Sequence, residues 1–175
     1  KEEHDSFVKK SQQTNLLQSD NWAQVKDDWG NERIGFYQDQ TLVASASILI
    51  RPLPLGMTVF YIPRGPVMDY QNRELLTFVL DSLKTVAKAK RALFIKFDPF
   101  ILFEHFQIDA EPVSNPDAQE IIDNLKAYGC EWLGRTSDMA ENIQPRFQAN
   151  IYAQDFSEAG LSKKMRQAIR TAKNK

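Results

Sequence analysis

Three side chains stand where their type and neighbours could do chemistry. Asp98 directly follows the apolar run Phe94-Ile95-Lys96-Phe97, and Pro99 fixes the chain beyond it. The run reads as a buried strand, and strand ends are where α/β folds place ligand contacts. A carboxylate there can accept hydrogen bonds from sugar hydroxyls, orient an amine, or act as a general base once burial raises its pKa. It can equally cap a turn. Arg64 lies in Tyr61-Ile62-Pro63-Arg64-Gly65-Pro66-Val67-Met68-Asp69-Tyr70. Pro63 biases Ile62, and Pro66 biases Gly65, to an extended conformation. Neither proline has an N–H for a sheet ladder, so the strand is expected to stop here or lie at an edge. Gly65 admits close approach of a backbone or ligand. The stretch is thus a stiff strand exit presenting one cation, either to a ligand or to a nearby carboxylate. Lys26 flanks Trp22, Val25 and Trp29, which are spaced i, i+3, i+7 on one helical face. It either reaches a phosphate in a cleft or is a solvated flank lysine. The tryptophans read as core.

Other chemistries find no support. Cys130 is the one cysteine, so no intramolecular disulfide forms, and a reducing compartment fits. It reads as a small buried hydrophobe. His4 and His105 lie far apart and give no metal-ligand spacing. Serine nucleophile elbows, P-loops and dinucleotide-binding glycine signatures are absent. Lysine and arginine number 22 against 23 acids, which argues against a protein that coats DNA or other nucleic acid in bulk. The charge is uneven, however. Lys163, Lys164, Arg166, Arg170, Lys173 and Lys175 fall in the last fifteen residues with no acid among them. Leu161, Met165, Ile169 and Ala172 form an apolar stripe beside these cations. This amphipathic basic helix can meet RNA phosphates or lipid headgroups, or pack on a further domain.

The elements that must position these residues follow from periodicity. Residues 4–15 give no clear pattern. Ser19-Asp20-Asn21 offers N-caps for a helix through Trp29, ended by Gly30-Asn31. Arg33–Tyr37, Leu42–Arg51 and Met57–Ile62 read as an antiparallel meander, with Asp39-Gln40 as a hairpin turn. From Asn72 to Lys90 the apolar period is helical. Ala92–Phe97 is a buried strand. Asn115-Pro116 starts a helix that Gly129 closes. Cys130–Leu133 and Phe147–Ala153 read as strands, and 134–142 as a loop. The fold class is α+β, a mixed and largely antiparallel sheet flanked by helices, in an order that matches an N-acetyltransferase-like (GNAT) topology. No run of about 18 apolar residues is present to span a membrane.

Five stretches, in order, resemble one family. They are Trp22-Ala23-Gln24-Val25-Lys26-Asp27-Asp28-Trp29, Pro63-Arg64-Gly65-Pro66-Val67-Met68-Asp69, Phe97-Asp98-Pro99, Ile143-Gln144-Pro145-Arg146 and Leu161-Ser162-Lys163-Lys164-Met165-Arg166. The pattern is similar to that of the FemABX/MurM aminoacyltransferases of peptidoglycan interpeptide-bridge synthesis. The resemblance implies two GNAT-like domains. It implies transfer of an amino acid from aminoacyl-tRNA to the side-chain amine of a peptidoglycan precursor, either UDP-MurNAc-pentapeptide or its lipid-linked form. It implies that Lys26 contacts the precursor's phosphates and that Asp98 lies near the acceptor site, as a base or as an orienter of the amine. Arg64, Tyr61 and Tyr70 border the same cleft, Arg64 and Tyr61 as expected substrate contacts with no fixed role. Lys163, Lys164, Arg166 and Arg170 are expected RNA or phosphate contacts.

No cofactor or metal is expected. The chain lacks the G-x-G loop with which GNAT enzymes hold the coenzyme A pyrophosphate. The chain begins at Lys1 and ends within a helical pattern, so a piece of a longer protein is expected. Residues 1–154 would be the first domain and 155–175 the helix opening a second. A cytoplasmic location follows from the donor, with peripheral membrane contact where the acceptor is lipid-linked. Two further readings stand beside this one: a non-catalytic RNA- or membrane-binding module, and a small-molecule N-acetyltransferase.

Overall fold

The computed structural model describes residues 1–26, 28–106, 110–134, 144–145, 148 and 157–174. The chain forms two compact units, Lys1–Leu133 and Gly134–Lys175. The expected strand over 147–153, apart from residue 148, and the expected boundary at 154 lie outside the described residues, as does nearly all of the expected 134–142 loop.

The first unit opens with helix α1, Glu2–Lys10, in the stretch that gave no sequence pattern. Glu2, Glu3 and Asp5 near its start and Lys9 and Lys10 near its end suit the helix dipole. Ser19 caps helix α2, Asp20–Val25, by accepting the Trp22 N–H. This helix is shorter than expected. It stops at Lys26, and Gly30 already begins strand β1, Gly30–Gln38. The i, i+3, i+7 stripe therefore never forms. Val25 is 67% exposed, and the Trp29 ring lies 5.7 Å from the Arg51 guanidinium rather than in the core.

Strand β2, Thr41–Pro52, pairs antiparallel with β1 through a turn whose Asp39 and Gln40 both have positive φ. Two left-handed residues match the twist of the flanking strands. Strand β3, Thr58–Arg64, pairs antiparallel with β2. Helix α3, Arg73–Ala89, is capped by Asn72, whose side chain accepts the Leu75 N–H. It returns the chain to strand β4, Ala92–Pro99, which is parallel to β3. The sheet order is β1-β2-β3-β4. An antiparallel meander followed by a parallel strand–helix–strand unit is the expected α+β architecture. The core lies between sheet and α3, where Ile48, Phe60 and Ile62 meet Leu76, Val79 and Leu83. Helix α4, Asp117–Tyr128, packs Ile121 and Leu125 against it. A two-residue pairing links β5, Glu104–His105, to β6, Val113–Ser114.

Two further expectations are corrected. Pro63 was expected to end its strand or mark an edge, yet β3 runs through it to Arg64 with strands on both sides. The β2–β3 ladder stops at Leu49–Tyr61, two residues short of the proline. Pro63 thus has no rung to break on that side. Cys130–Leu133 is irregular rather than a strand. The Cys130 N–H turns back to the Leu125 carbonyl at 3.0 Å, closing α4 beyond a left-handed Gly129. Leu133 is exposed. Cys130 itself is half-buried, and burial pushes its thiol pKa up.

In the second unit, Ser162 caps helix α5, Lys163–Lys173, and no α5 residue is buried. Among the described residues no helix is long and apolar enough to cross a membrane.

Candidate active site

The parallel pair β3 and β4 sets the site. In their register Tyr61 lies opposite Lys96, Pro63 opposite Asp98, and Arg64 opposite Pro99. Alternation sends Phe60, Ile62, Ile95 and Phe97 to the core and Tyr61, Lys96 and Asp98 to the other face. Asp98 Oδ1 accepts the Arg64 backbone N–H at 3.1 Å. Tyr61 adds a hydrogen bond to the same carboxyl group. Burial raises the Asp98 pKa above the ordinary carboxylate value. The Arg64 N–H and guanidinium, the Tyr61 bond and the Lys96 charge oppose that rise without cancelling it. The Arg64 guanidinium carbon lies 5.8 Å from the Phe100 ring centroid. Arg64 takes φ 54°, a left-handed conformation that turns the chain out of the sheet.

Phe100 also walls a cleft of about 740 Å³. Val67, Met68 and Tyr70 line it from the stretch that follows Arg64, and Gln13 lines it from the segment after α1. The Gln13 side chain pins this wall: its Nε2 donates to the Met68 carbonyl at 2.7 Å and its Oε1 accepts the Met68 N–H at 3.3 Å. Tyr70 is fully buried and its hydroxyl donates to the Pro66 carbonyl at 2.6 Å. Burial, with the nearby Asp98 charge, pushes its pKa well up. Tyr70 is thus a fixed structural phenol. The volume falls in the range of small-molecule sites, and the lining mixes apolar and polar groups as such sites do.

The structure therefore brings together Tyr61, Arg64 and Asp98, and places Tyr70 in the cleft wall beyond them. Lys26 follows the last residue of α2, and its ammonium lies 5.7 Å from the Trp22 ring centroid. Lys163, Lys164 and Arg170 lie on α5. Arg166 is already engaged, donating from Nη1 to the Ala159 and Leu161 carbonyls at 2.8 and 2.6 Å. Among the described residues no group of three or more His, Cys, Asp or Glu could hold a metal.

Sequence reasoning missed Phe100, Lys96 and above all Gln18. The Gln18 side chain is fully buried on the polar side of the sheet. It stands between Leu17 and Ser19 in a short turn with no periodicity to mark it, so no local signal could have singled it out.

A mixed sheet carrying a half-buried carboxylate at its parallel-strand ends, two residues before the cleft-lining Phe100, defines an α+β domain with a candidate site at those strand ends. The particular family is settled by comparison. The FemAB family model matches residues 1–175, and the chain belongs to that family. It is 38% identical over 149 residues to the Lipid II:glycine glycyltransferase of Staphylococcus aureus strain MRSA252, and equally so to that of strain bovine RF122 / ET3-1. These alignments cover 83% of this chain and 32% of each relative. The chain thus spans about a third of the length of the curated relatives it matches. Among solved structures, a crystal structure of FemX aligns with TM-score 0.60 and 39% identity, covering 73% of this chain and 30% of that one.

Proposed function

We propose that this chain is the acceptor-binding part of an aminoacyltransferase that moves an amino acid from aminoacyl-tRNA to the side-chain amine of a peptidoglycan precursor. The observation that carries the reading is Asp98. It is a carboxylate with a raised pKa, held by a main-chain N–H and a tyrosine, at strand ends two residues before Phe100, which walls the cleft. Membership of the FemAB family, and relatives named as lipid II glycyltransferases, support the substrate class.

The reaction is aminolysis of an ester. The acceptor amine must be neutral to attack the aminoacyl carbonyl. A carboxylate whose pKa lies above the ordinary range takes a proton from it more readily. Asp98 then holds the amine and accepts its proton as the C–N bond forms. The proton taken up by Asp98 passes to the departing tRNA ribose oxygen, which restores the carboxylate, and the oxyanion formed on the way needs N–H or cationic donors. Tyr61 orients the carboxylate. Arg64, stacked by Phe100, lines the approach, and Lys26 meets the precursor's phosphates. The donor places the reaction in the cytoplasm.

The test is transfer of a labelled amino acid from charged tRNA to UDP-linked and lipid-linked precursors by the full-length protein. Asp98→Asn is expected to lower kcat by about 10²–10⁴-fold while precursor binding holds. Lys26→Ala is expected to weaken precursor binding by about tenfold, since it removes a charge-assisted bond to phosphate. Full transfer by Asp98→Asn removes the base. An unchanged dissociation constant for Lys26→Ala returns Lys26 to the protein surface. Binding of acetyl-CoA with acetyl transfer would favour the N-acetyltransferase reading instead.

A further inference from the structure

The β2–β3 ladder ends at Leu49–Tyr61, and the next rung would pair Ser47 with Pro63. The Gln18 side chain stands in that gap. Its Oε1 accepts the Ser47 N–H at 2.9 Å, and its Nε2 donates to the Ser47 carbonyl at 3.2 Å and the Pro63 carbonyl at 2.5 Å. Pairing resumes at Ser45–Val67, where Ser45 N–H to Val67 O is 3.0 Å and Val67 N–H to Ser45 O is 2.8 Å. The strands therefore part around one amide and close again beyond it. Gly65 makes room for it: a Cβ there would lie 2.6–2.8 Å from the Gln18 amide. Gln18 is itself anchored, because its carbonyl meets His4 Nε2 at 2.5 Å and His4 Nδ1 meets Ser45 Oγ at 2.5 Å.

The peptide unit joining Pro63 to Arg64 is planar and rigid. Its carbonyl is held by Gln18 and its N–H is donated to Asp98. Two side chains from distant parts of the sequence thus grip opposite ends of one peptide group. Hydrogen bonding at the carbonyl also polarises the amide and strengthens its N–H as a donor.

We propose that Gln18 is a positioning residue for Asp98, acting through the Pro63–Arg64 peptide to fix the N–H that the carboxylate accepts. Its bearing on transfer rests on Asp98 being the acceptor-side base; the grip itself does not. Gln18→Met keeps the length of the side chain and removes every hydrogen bond.

The test is a carbon-13 titration of the Asp98 carboxyl in the full-length protein, with the signal assigned by its loss in Asp98→Asn. In Gln18→Met the midpoint is expected to move up, because a donor to the charged form is displaced. The acidic limb of the transfer rate should move with it, and kcat/KM should fall by about 10- to 100-fold. An unmoved midpoint in folded Gln18→Met overturns the proposal. Where that variant fails to fold, Gly65→Ala asks the same question by pushing the amide from the other side. The same upward movement supports the proposal, and an unmoved midpoint overturns it. A moved midpoint together with undiminished transfer by Asp98→Asn upholds the grip and sinks Asp98 as the base.

Discussion

Asp98 is held in opposition. Burial favours its neutral form, while the Arg64 N–H and charge, Tyr61 and Lys96 favour the carboxylate, and burial wins. The consequence for stability has a definite sign. A carboxyl whose folded pKa is raised binds more protons folded than unfolded between its ordinary value and its folded value. Stability therefore falls as pH rises through that window, and the penalty is complete above the folded pKa. Asp98→Asn keeps an acceptor for the Arg64 N–H and carries no charge. It is expected to melt higher than wild type at neutral pH, with the gap closing as pH falls below the ordinary carboxylate value. Thermal denaturation across that range reads it, and a lower melting temperature at neutral pH would show the carboxylate to be stabilising. A gain in stability with loss of transfer is the mark of a functional residue held at a cost.

At the scale of elements, the side of the sheet away from α3 is covered by a segment that buries several polar bonds. Asp20, at the start of α2, pairs with Arg33 on β1 and lies 3.1 Å from the Lys1 ammonium. It also accepts from Gln24 Nε2 at 2.7 Å, while its backbone N–H donates to Asp5 at 3.0 Å. Burial pulls the Asp20 pKa up, but the bonds from Lys1 and Gln24 and the charges of Arg33 and Lys1 bring it below the ordinary value. The sign is opposite to that of Asp98. The contribution is present above the ordinary carboxylate value and lost as pH falls through the folded pKa. Asp20→Asn is expected to melt below wild type at neutral pH, the two converging in acid. Equal melting temperatures at neutral pH would mean that α2 is held by other contacts. The same segment supplies Gln18, so its docking and the geometry at Asp98 are coupled through the gap between β2 and β3.

At the scale of the whole molecule, this chain spans about a third of its curated relatives, and transfer is a property proposed for the whole protein. The basic helix α5 is the part whose cations invite a nucleic-acid or membrane reading. It carries Lys163, Lys164 and Arg170, and Met165 is 52% exposed. If these cations meet the tRNA backbone, replacing the three with glutamine in the full-length protein should weaken tRNA binding most at low salt. The salt slope should flatten by about 0.7 for each phosphate no longer neutralised. Arg166→Gln should behave differently, because its guanidinium holds the Ala159 and Leu161 carbonyls before the helix. It should lower helix stability rather than the slope. Binding measured across a salt series separates these outcomes. Vesicle binding in place of tRNA binding would favour the membrane reading.

Periodicity made much of the fold readable. The alternation in Leu42–Arg51, the long apolar helical face after Asn72, and the turn at Asp39-Gln40 are local patterns, and the observed elements follow them. The capping residues Ser19 and Asn72 are local too, since a cap bonds within three residues of itself. Asp98 was legible for the same reason, as a carboxylate directly after an apolar strand and before a proline. The α2 stripe misled because tertiary pairing overrode it: β1 takes Gly30 as its first residue, opposite Ile50 on β2. What only the tertiary structure decided is the gap between β2 and β3. Pro63 forbids a rung and Gly65 permits a close approach, and both were plain in the sequence. That a glutamine from before α2 would fill the space could not be read there. The Gln18 side chain is specified by partners distant in the chain, and such long-range hydrogen bonding, unlike periodicity or a local cap, leaves no trace along it.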